Sequence, residues 1–209
     1  MYDIDYSVTK EDFMSKVKIK DIKTLADTKY LKLYDAEYVN KNGDIRNWSI
    51  ASRKDLSTLR GKFFNEEEDT ADAVIIIATH VEEEKLVVIR QFRVPINDYV
   101  YELPAGLIDK GEDFKDSAKR ELKEETGLDL LEIDYDKTKS KVYISTGMTD
   151  ESVALVYCTC TGSISKEYLE ADEDIDIMLL SKNEAKEVLK SNKRIDIKAL
   201  LMIQNFIDL

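Results

Sequence analysis

The sequence of 209 residues is poor in cysteine, histidine, proline and glycine. Two cysteines and one histidine are too few for a zinc site of those residue types, which takes four ligands. Seven glycines and two prolines leave little sequence for long linkers, and 43% hydrophobic with 35% charged residues excludes bulk disorder. The length fits one domain, or a core domain with a smaller appendage.

Long apolar runs are also missing. The most apolar stretch, residues 73–81, is far too short to cross a bilayer. The N-terminal residues, MYDIDYSVTKEDF, have neither a basic start nor an apolar run, so no secretory signal is predicted. We therefore expect a cytoplasmic protein without a membrane partner.

The sequence also lacks an excess of basic residues, since its net charge is −12 and its pI is near 4.7. Proteins that bind nucleic acid through its phosphates need a basic face, so no nucleic-acid partner is expected. A small anionic substrate would be repelled as well. Any phosphate-bearing ligand must then meet locally placed Arg or Lys, or metal cations that reverse the sign of the local field.

The few sulfur and imidazole groups are predicted to be structural. Cys158 and Cys160 lie two residues apart in a probable strand, which places both on one face as packing residues. His80 follows a strand-like run and is predicted to be a strand-end residue.

The chain is predicted to divide into two domains, residues 1–68 and 69–209. Residues 15–52 have the pattern of a small antiparallel unit, with NKNGD as a hairpin turn, and residues 53–72 are predicted to be an irregular connection. The second domain is predicted to interleave strands and helices, which indicates a mixed α and β fold with an antiparallel component. Strands are predicted at 73–79, 85–94, 98–103, 140–146, 152–160 and 175–180, and helices at 113–126, 182–190 and 195–207.

The helix at 113–126 has an unusual acidic face. Glu121, Glu124 and Glu125 are neighbours on a helix surface, and a like-charge pair at i,i+4 is mildly destabilising. The three glutamates flank an apolar stripe and lie away from the lysines, so they are predicted to face a ligand held close to the protein. Mg²⁺ takes oxygen ligands and sits on a few carboxylates plus substrate phosphates, which would offset the repulsion.

These residues match a family pattern at all nine fixed positions. The sequence resembles the Nudix hydrolase signature, whose positions here are Gly106, Glu112, Arg120, Glu121, Leu122, Glu124, Glu125, Gly127 and Leu128. The resemblance implies an α/β/α sandwich around a mixed sheet, carrying the small N-terminal antiparallel β domain. It implies Mg²⁺, with Mn²⁺ as the alternative, held by Glu121, Glu124 and Glu125 with the Ala105 carbonyl. The resemblance also implies a catalytic role for Glu125. Glu112 and Arg120 are implied to join the loop to the helix, with Glu112 also near the metals.

The flanking sequence resembles the ADP-ribose pyrophosphatase branch, through VVIRQFRVP and YELPAGLID. That branch implies hydrolysis of the diphosphate of ADP-ribose or a related nucleotide sugar, in a homodimer whose N-terminal units help build each site. Arg93 is implied to contact the diphosphate, Trp48 to stack on adenine and Arg53 to make a second substrate contact. Glu102 is implied to be a further contact with the ligand or metal, with a strand residue as the alternative, and packing remains an alternative for Trp48.

The catalytic base and the exact substrate stay open at this point. Related enzymes use a glutamate on a loop before the last strand, where Glu170 and Glu173 are both available. The sequence also departs from the branch in STGMTDES, where Thr146 stands in place of an expected proline. Another sugar nucleotide, a dinucleotide polyphosphate, or a non-catalytic nucleotide-sensing module are the alternatives.

Overall fold

A computed structural model of the protein describes residues 17–171 and 173–208. The chain forms two compact units. The first is drawn from the sequence up to Asp69 together with residues 145–151, and the second comprises residues 70–144 and 152 onward. The start of the chain, including MYDIDYSVTKEDF, lies outside the described residues.

The N-terminal unit is a three-stranded antiparallel sheet covered by one helix. Its strands are β1 (Lys18–Asp27), β2 (Lys32–Val39) and β3 (Ile45–Ser52), paired in chain order. The NKNGD turn joins β2 to β3, with Gly43 at φ 90°, a left-handed conformation that favours glycine. The predicted hairpin is therefore confirmed.

A helix that was not predicted follows the sheet. Helix α1 (Leu56–Phe64) occupies part of the stretch predicted to be irregular, so that prediction was wrong. Its signal is short: Asp55 caps it by accepting a hydrogen bond from the Thr58 amide, and Leu59 is its buried apolar side chain. Leu56, Leu59 and Phe63 recur at i, i+3 and i+7 and pack in the core of this unit, a short helical signal that the prediction overlooked.

The second unit is built on an eight-stranded mixed sheet with a central order β11-β5-β4-β10-β8. Strands β4 and β10 are parallel, and the other pairs are antiparallel. The predictions missed the short strands β7 and β8, which lack a long β-branched run. The strands are β4 (Ala73–His80), β5 (Lys85–Arg93), β6 (Asp98–Glu102), β7 (Ala105–Leu107), β8 (Asp129–Ile133), β9 (Lys139–Tyr143), β10 (Ser152–Thr161) and β11 (Ile175–Leu180).

Helices cover both faces of this sheet, which confirms the α/β/α sandwich. Val74 and Ile76 of β4 pack with α2 (Phe114–Thr126) on one face. The intervening Ile75 and Ile77 pack with α3 (Lys182–Lys190) and α4 (Ile197–Asp208) on the other. Strand residues alternate between faces, so a strand covered on both sides is apolar throughout.

The cysteines and the histidine occupy the structural positions predicted for them. Cys158 and Cys160 are buried in the core on the α2 side of the sheet, and burial raises the pKa of each thiol to about 12. His80 is the last residue of β4, and its Nε2 lies 2.9 Å from the Gly162 carbonyl oxygen. Among the helices described, none has the length and apolarity needed to cross a membrane.

Candidate active site

Local signals set both ends of the acidic helix α2. The Asp113 side chain accepts hydrogen bonds from the amides of Lys115 and Asp116, which caps the N-terminus. Gly127 ends the helix at φ 76° and donates to the Lys123 carbonyl. A side chain at Gly127 would also collide with the backbone at Ser165, 2.7 Å from an ideal Cβ. Glycine is therefore required there twice over.

Burial of the apolar stripe of α2 carries one glutamate into the protein. Ala118 and Leu122 are fully buried against the sheet, and Glu125, on the neighbouring face, is only 3% exposed. The amide of Ala105, at the start of β7, donates to Glu125 Oε2 over 2.9 Å. The next residue is Gly106, where a Cβ would lie 2.0 Å from the Glu121 carboxyl carbon. Strand β7 thus packs directly on the acidic face of the helix.

Arg120 is the hub of an ionic network on this face. Its Nη1 donates to Glu121 Oε1 at 2.7 Å and to Glu124 Oε2 at 3.0 Å. Its Nε and Nη2 donate to the two oxygens of Glu112 at 3.1 and 2.9 Å, and Nη2 also donates to the Leu107 carbonyl. The pairing of Glu112 with Arg120 that the resemblance implied is confirmed.

Glu112 is held by neutral donors as well as by Arg120. Its Oε2 accepts hydrogen bonds from Ser117 Oγ at 2.6 Å and from the Asp109 amide at 3.2 Å. Arg120, and then Ser117, hold the pKa of Glu112 down at about 2. The role of Ser117 was not predicted from the sequence. The signal available was a polar residue next to Ala118, on the face of the helix that was predicted to be buried. Glu112 as a metal neighbour stays a prediction.

Two of the predicted metal ligands, Glu121 and Glu125, have raised pKa values, in contrast to the lowered pKa of Glu112. Burial raises the pKa of Glu125 well above its ordinary value, and the charges of Glu121 and Glu173 raise it further. Burial also raises the pKa of Glu121, against the lowering effect of Arg120. Carboxylates crowded together with little solvent favour proton uptake or a bound cation.

The loop before β11 brings one of the two candidate bases to this cluster. The charge of Glu173 acts on both Glu121 and Glu125, and its side chain is half-buried. Glu170 is exposed, and its amide donates to Glu173 Oε2 over 2.9 Å. Glu170 thus holds the Glu173 carboxylate in place through its backbone.

Arg93 and Glu102 lie on neighbouring strands β5 and β6 and pair with each other. Arg93 Nε donates to both Glu102 oxygens at 3.0 and 3.1 Å, and Nη2 donates to Oε2 at 2.6 Å. This hydrogen bonding raises the pKa of Arg93, and the charge of Glu125 adds to the shift. The Arg93 side chain, which is 43% exposed, therefore lies beside the acidic cluster.

The donor set suits a hard divalent cation. Glu121, Glu124 and Glu125 present carboxylate oxygens, and a cation would stabilise the charged forms of two groups whose pKa values are raised. Over residues 17–171 and 173–208, no three acidic, histidine or cysteine side chains are gathered closely enough to hold an ion together. Arg120 instead supplies the positive charge between Glu121 and Glu124.

Trp48 and Arg53 belong to the N-terminal unit. Trp48 on β3 is 52% exposed, which excludes the alternative of burial in the core of its own unit. Its Nε1 donates to the Gly147 carbonyl at 3.2 Å, and its ring meets Tyr38 edge-on. Arg53 Nε donates to Glu151 Oε1 at 2.6 Å. Their contacts with substrate stay predictions.

Known proteins resemble this chain in sequence and in fold. Residues 69–200 match the NUDIX domain family. Over 135 residues the chain is 34% identical to the ADP-ribose pyrophosphatase of Bacillus subtilis (strain 168), and 33% identical to the methanol dehydrogenase activator of Bacillus methanolicus, covering 63% of this chain and 70% of each relative. A solved structure described as an ADP compounds hydrolase superposes with a TM-score of 0.65 at 16% identity, covering 93% of this chain and 95% of that one.

The matched residues 69–200 include the Gly106 loop and helix α2. The chain belongs to the Nudix hydrolase family. Enzymes of this family generally need divalent metal ions, which agrees with the carboxylate-rich face described above.

Proposed function

We propose that the protein hydrolyses the diphosphate bond of ADP-ribose or a related nucleoside diphosphate sugar, using Mg²⁺. With ADP-ribose, water adds to one phosphorus, the bridging P–O bond breaks, and the products are AMP and ribose 5-phosphate. The observation that carries the proposal is the group of glutamates on one face of α2, two of which, Glu121 and Glu125, have pKa values raised by burial, so that a cation there would stabilise their charged forms beside an anionic substrate. Relatives named ADP-ribose pyrophosphatase in Bacillus subtilis and Saccharomyces cerevisiae support the substrate class.

The metal ligands in this proposal are Glu121, Glu124 and Glu125, with the Ala105 carbonyl as a fourth donor. Divalent ions held there would act as Lewis acids on the diphosphate and lower the pKa of bound water. Glu112 keeps Arg120 in place, and Arg120 neutralises the carboxylates in the absence of metal.

Glu173 is the better of the two candidate bases. Its charge acts on Glu121 and Glu125, which supports a position near the proposed metal site. A base must reach the attacking water directly or through one intermediary, and the exposed Glu170 is less suited to this. In the proposed mechanism Glu173 accepts the proton of the attacking water.

Substrate binding would use Arg93 for the diphosphate, with Glu102 orienting its guanidinium through the bidentate pair. Trp48 would stack on the adenine, because its ring is exposed and already anchored through Nε1. Arg53 would make a second contact with the substrate. A homodimer and a cytoplasmic location complete the proposal.

The test is a product-resolved assay of ADP-ribose with and without Mg²⁺, beside a panel of other nucleotide sugars and dinucleotide polyphosphates. We expect AMP and ribose 5-phosphate from ADP-ribose only when metal is present. Cleavage of another panel member in preference to ADP-ribose would change the substrate, and binding without turnover would favour a nucleotide sensor. The control is Glu125→Gln, which should lower the metal-dependent cleavage by about a thousandfold.

A further inference from the structure

The loop that carries Glu173 joins β10 to β11 and contacts helix α2 on its way. This β10–β11 loop comprises residues 162–171 and 173–174 among those described. The Ser165 amide donates a hydrogen bond of 2.9 Å to the Thr126 carbonyl, in the last turn of α2. The first half of the loop is therefore held at the end of the helix whose glutamates form the acidic face.

The last residue of the β10–β11 loop, Asp174, is joined to β5 and β6. Its side chain accepts a hydrogen bond from the Tyr99 hydroxyl, and its carbonyl accepts one from the Phe92 amide at 3.2 Å. The bond to Asp174 is also the main cause of the raised pKa of Tyr99, so the phenol keeps its proton at neutral pH and remains a donor. Because Asp174 directly follows Glu173, this contact lies one residue from the candidate base.

The Tyr99 ring is itself held by two neighbours on β5. The guanidinium carbon of Arg90 lies 4.8 Å from the ring centroid, and the Phe92 ring meets the Tyr99 ring edge-on, with the centroids 5.5 Å apart. Arg90 Nε also donates to Asp176 Oδ2 at 3.1 Å, and Lys166 of the loop donates to the other oxygen of that carboxylate at 3.0 Å. The Tyr99 hydroxyl is therefore presented to the loop by packed and paired side chains.

The contact with Asp174 matters because little else holds the second half of the loop. None of the described residues 162–171 and 173–174 is buried, and a segment with few buried apolar contacts opens easily. The charge of Glu173 acts on Glu121 and Glu125, and like charges repel. In the absence of an anchor, this repulsion would move the Glu173 carboxylate away from the acidic face.

We propose that Tyr99 is a positioning residue for the hydrolysis, whose hydrogen bond to Asp174 holds the Glu173 carboxylate at the acidic face of α2. This rests on the proposed function, with Glu173 as the base. Tyr99 acts through the loop and not on the reacting atoms. Loss of its hydroxyl should misplace the base without changing how the substrate binds, so kcat should fall while KM is preserved.

The first test is Tyr99→Phe, with Tyr135→Phe as the matched control. Phenylalanine keeps a ring beside Arg90 and Phe92 and removes only the hydroxyl. Tyr135 lies in the turn between β8 and β9 and is 63% exposed. For ADP-ribose, Tyr99→Phe should lower kcat about tenfold with KM changed less than about twofold, and the control should keep both values within about twofold of wild type. An unchanged kcat, or a rise in KM in place of the fall in kcat, would overturn the proposal.

A double-mutant cycle separates positioning of the base from a general structural role. When Glu173→Gln has already removed the base, adding Tyr99→Phe should lower kcat by less than about twofold. A tenfold loss in that background would overturn the proposal, because Tyr99 would then act independently of Glu173.

Two substitutions at Asp174 isolate the hydrogen bond from the charge. Both Asp174→Asn and Asp174→Ala remove the charge, but asparagine keeps an oxygen that can accept from the Tyr99 hydroxyl. Asp174→Ala should lower kcat about tenfold and Asp174→Asn less than about threefold. Equal losses in the two variants would overturn the proposal. If circular dichroism shows that Tyr99→Phe does not fold, this pair decides.

Hydrogen exchange distinguishes failure of this proposal from failure of the proposed function. If the wild-type protein cleaves no nucleotide sugar, the proposed function fails, whereas the anchoring of the loop is still measurable without substrate. Exchange of the Phe92 amide, which donates to the Asp174 carbonyl, should be about tenfold faster in Tyr99→Phe than in Tyr135→Phe. Equal exchange rates would overturn the anchoring on which the proposal depends.

Discussion

Two charged regions of the protein differ in how their charges are balanced. The lysine–aspartate cluster of the N-terminal unit pairs two lysines with two aspartates, namely Lys54, Lys62, Asp69 and Asp150. Around α2, the guanidiniums of Arg93 and Arg120 lie among six carboxylates, those of Glu102, Glu112, Glu121, Glu124, Glu125 and Glu173. Among the described residues, the first set has equal numbers of positive and negative charges, whereas the second has an excess of negative charge. The balanced cluster stabilises the structure of its unit, and the partly buried excess of negative charge favours the binding of cations.

The strongest test of this comparison removes the buried charge of the acidic face. Glu125→Gln should lower kcat/KM by about a thousandfold, ~4 kcal/mol, and weaken Mn²⁺ binding measured by titration calorimetry. The metal-free variant should be no less stable than wild type, because burial already disfavours the ionised form of Glu125. Full activity with unchanged Mn²⁺ affinity would contradict the assignment.

The next largest effect distinguishes the two loop glutamates. Glu173→Gln should lower kcat about a hundredfold, because the proton acceptor is lost. Glu170→Gln should change kcat by less than about threefold, since that residue contributes its backbone amide to the loop. The reverse order of effects would assign the base to Glu170.

The third test breaks the balanced cluster. Lys54→Met leaves Asp150 with Lys62 at 3.7 Å and should lower the free energy of unfolding by about 2 kcal/mol, less than for a fully buried pair. Urea denaturation measures the change, and the exposed Lys20→Met is the control, expected within about 0.5 kcal/mol of wild type. Equal stability of the two variants would show that the cluster is not structural.

The smallest effect is a pH dependence of metal-free stability. The pKa of Glu125 is raised above its ordinary value of 4.5, so between the two values the folded protein binds more protons than the unfolded chain. Stability should therefore fall as the pH rises from 4.5 toward the raised value. Denaturation in a chelator should show this slope in wild type and a smaller one in Glu125→Gln.

Much of the second unit could be predicted because its signals are local. The apolar runs of β4 and β5, the cap at Asp113 and the glycine at 127 each specify their own element. The acidic face of α2 follows from helical spacing alone. The placement of Glu173 beside that face could not be deduced, because it depends on the path of the loop before β11.

The N-terminal unit was harder to predict at its boundaries. Helix α1 is short, and its stripe of Leu56, Leu59 and Phe63 is interrupted by polar residues and a glycine, so it was mistaken for an irregular connection. The 145–151 segment joins the unit through Asp150 and through backbone bonds to β3, neither of which has a periodic signal. Such partners become visible only when distant parts of the chain are placed together.

Because residues 145–151 complete the N-terminal unit from within the second half of the sequence, the two units cannot be separated by one cut. A fragment ending at Asp69 would lack Asp150 and so lose one of the two carboxylates that accompany Lys54 and Lys62. A fragment starting at Thr70 would carry Asp150 without either lysine. Dissection of this protein therefore calls for circular permutation or coexpression of overlapping pieces.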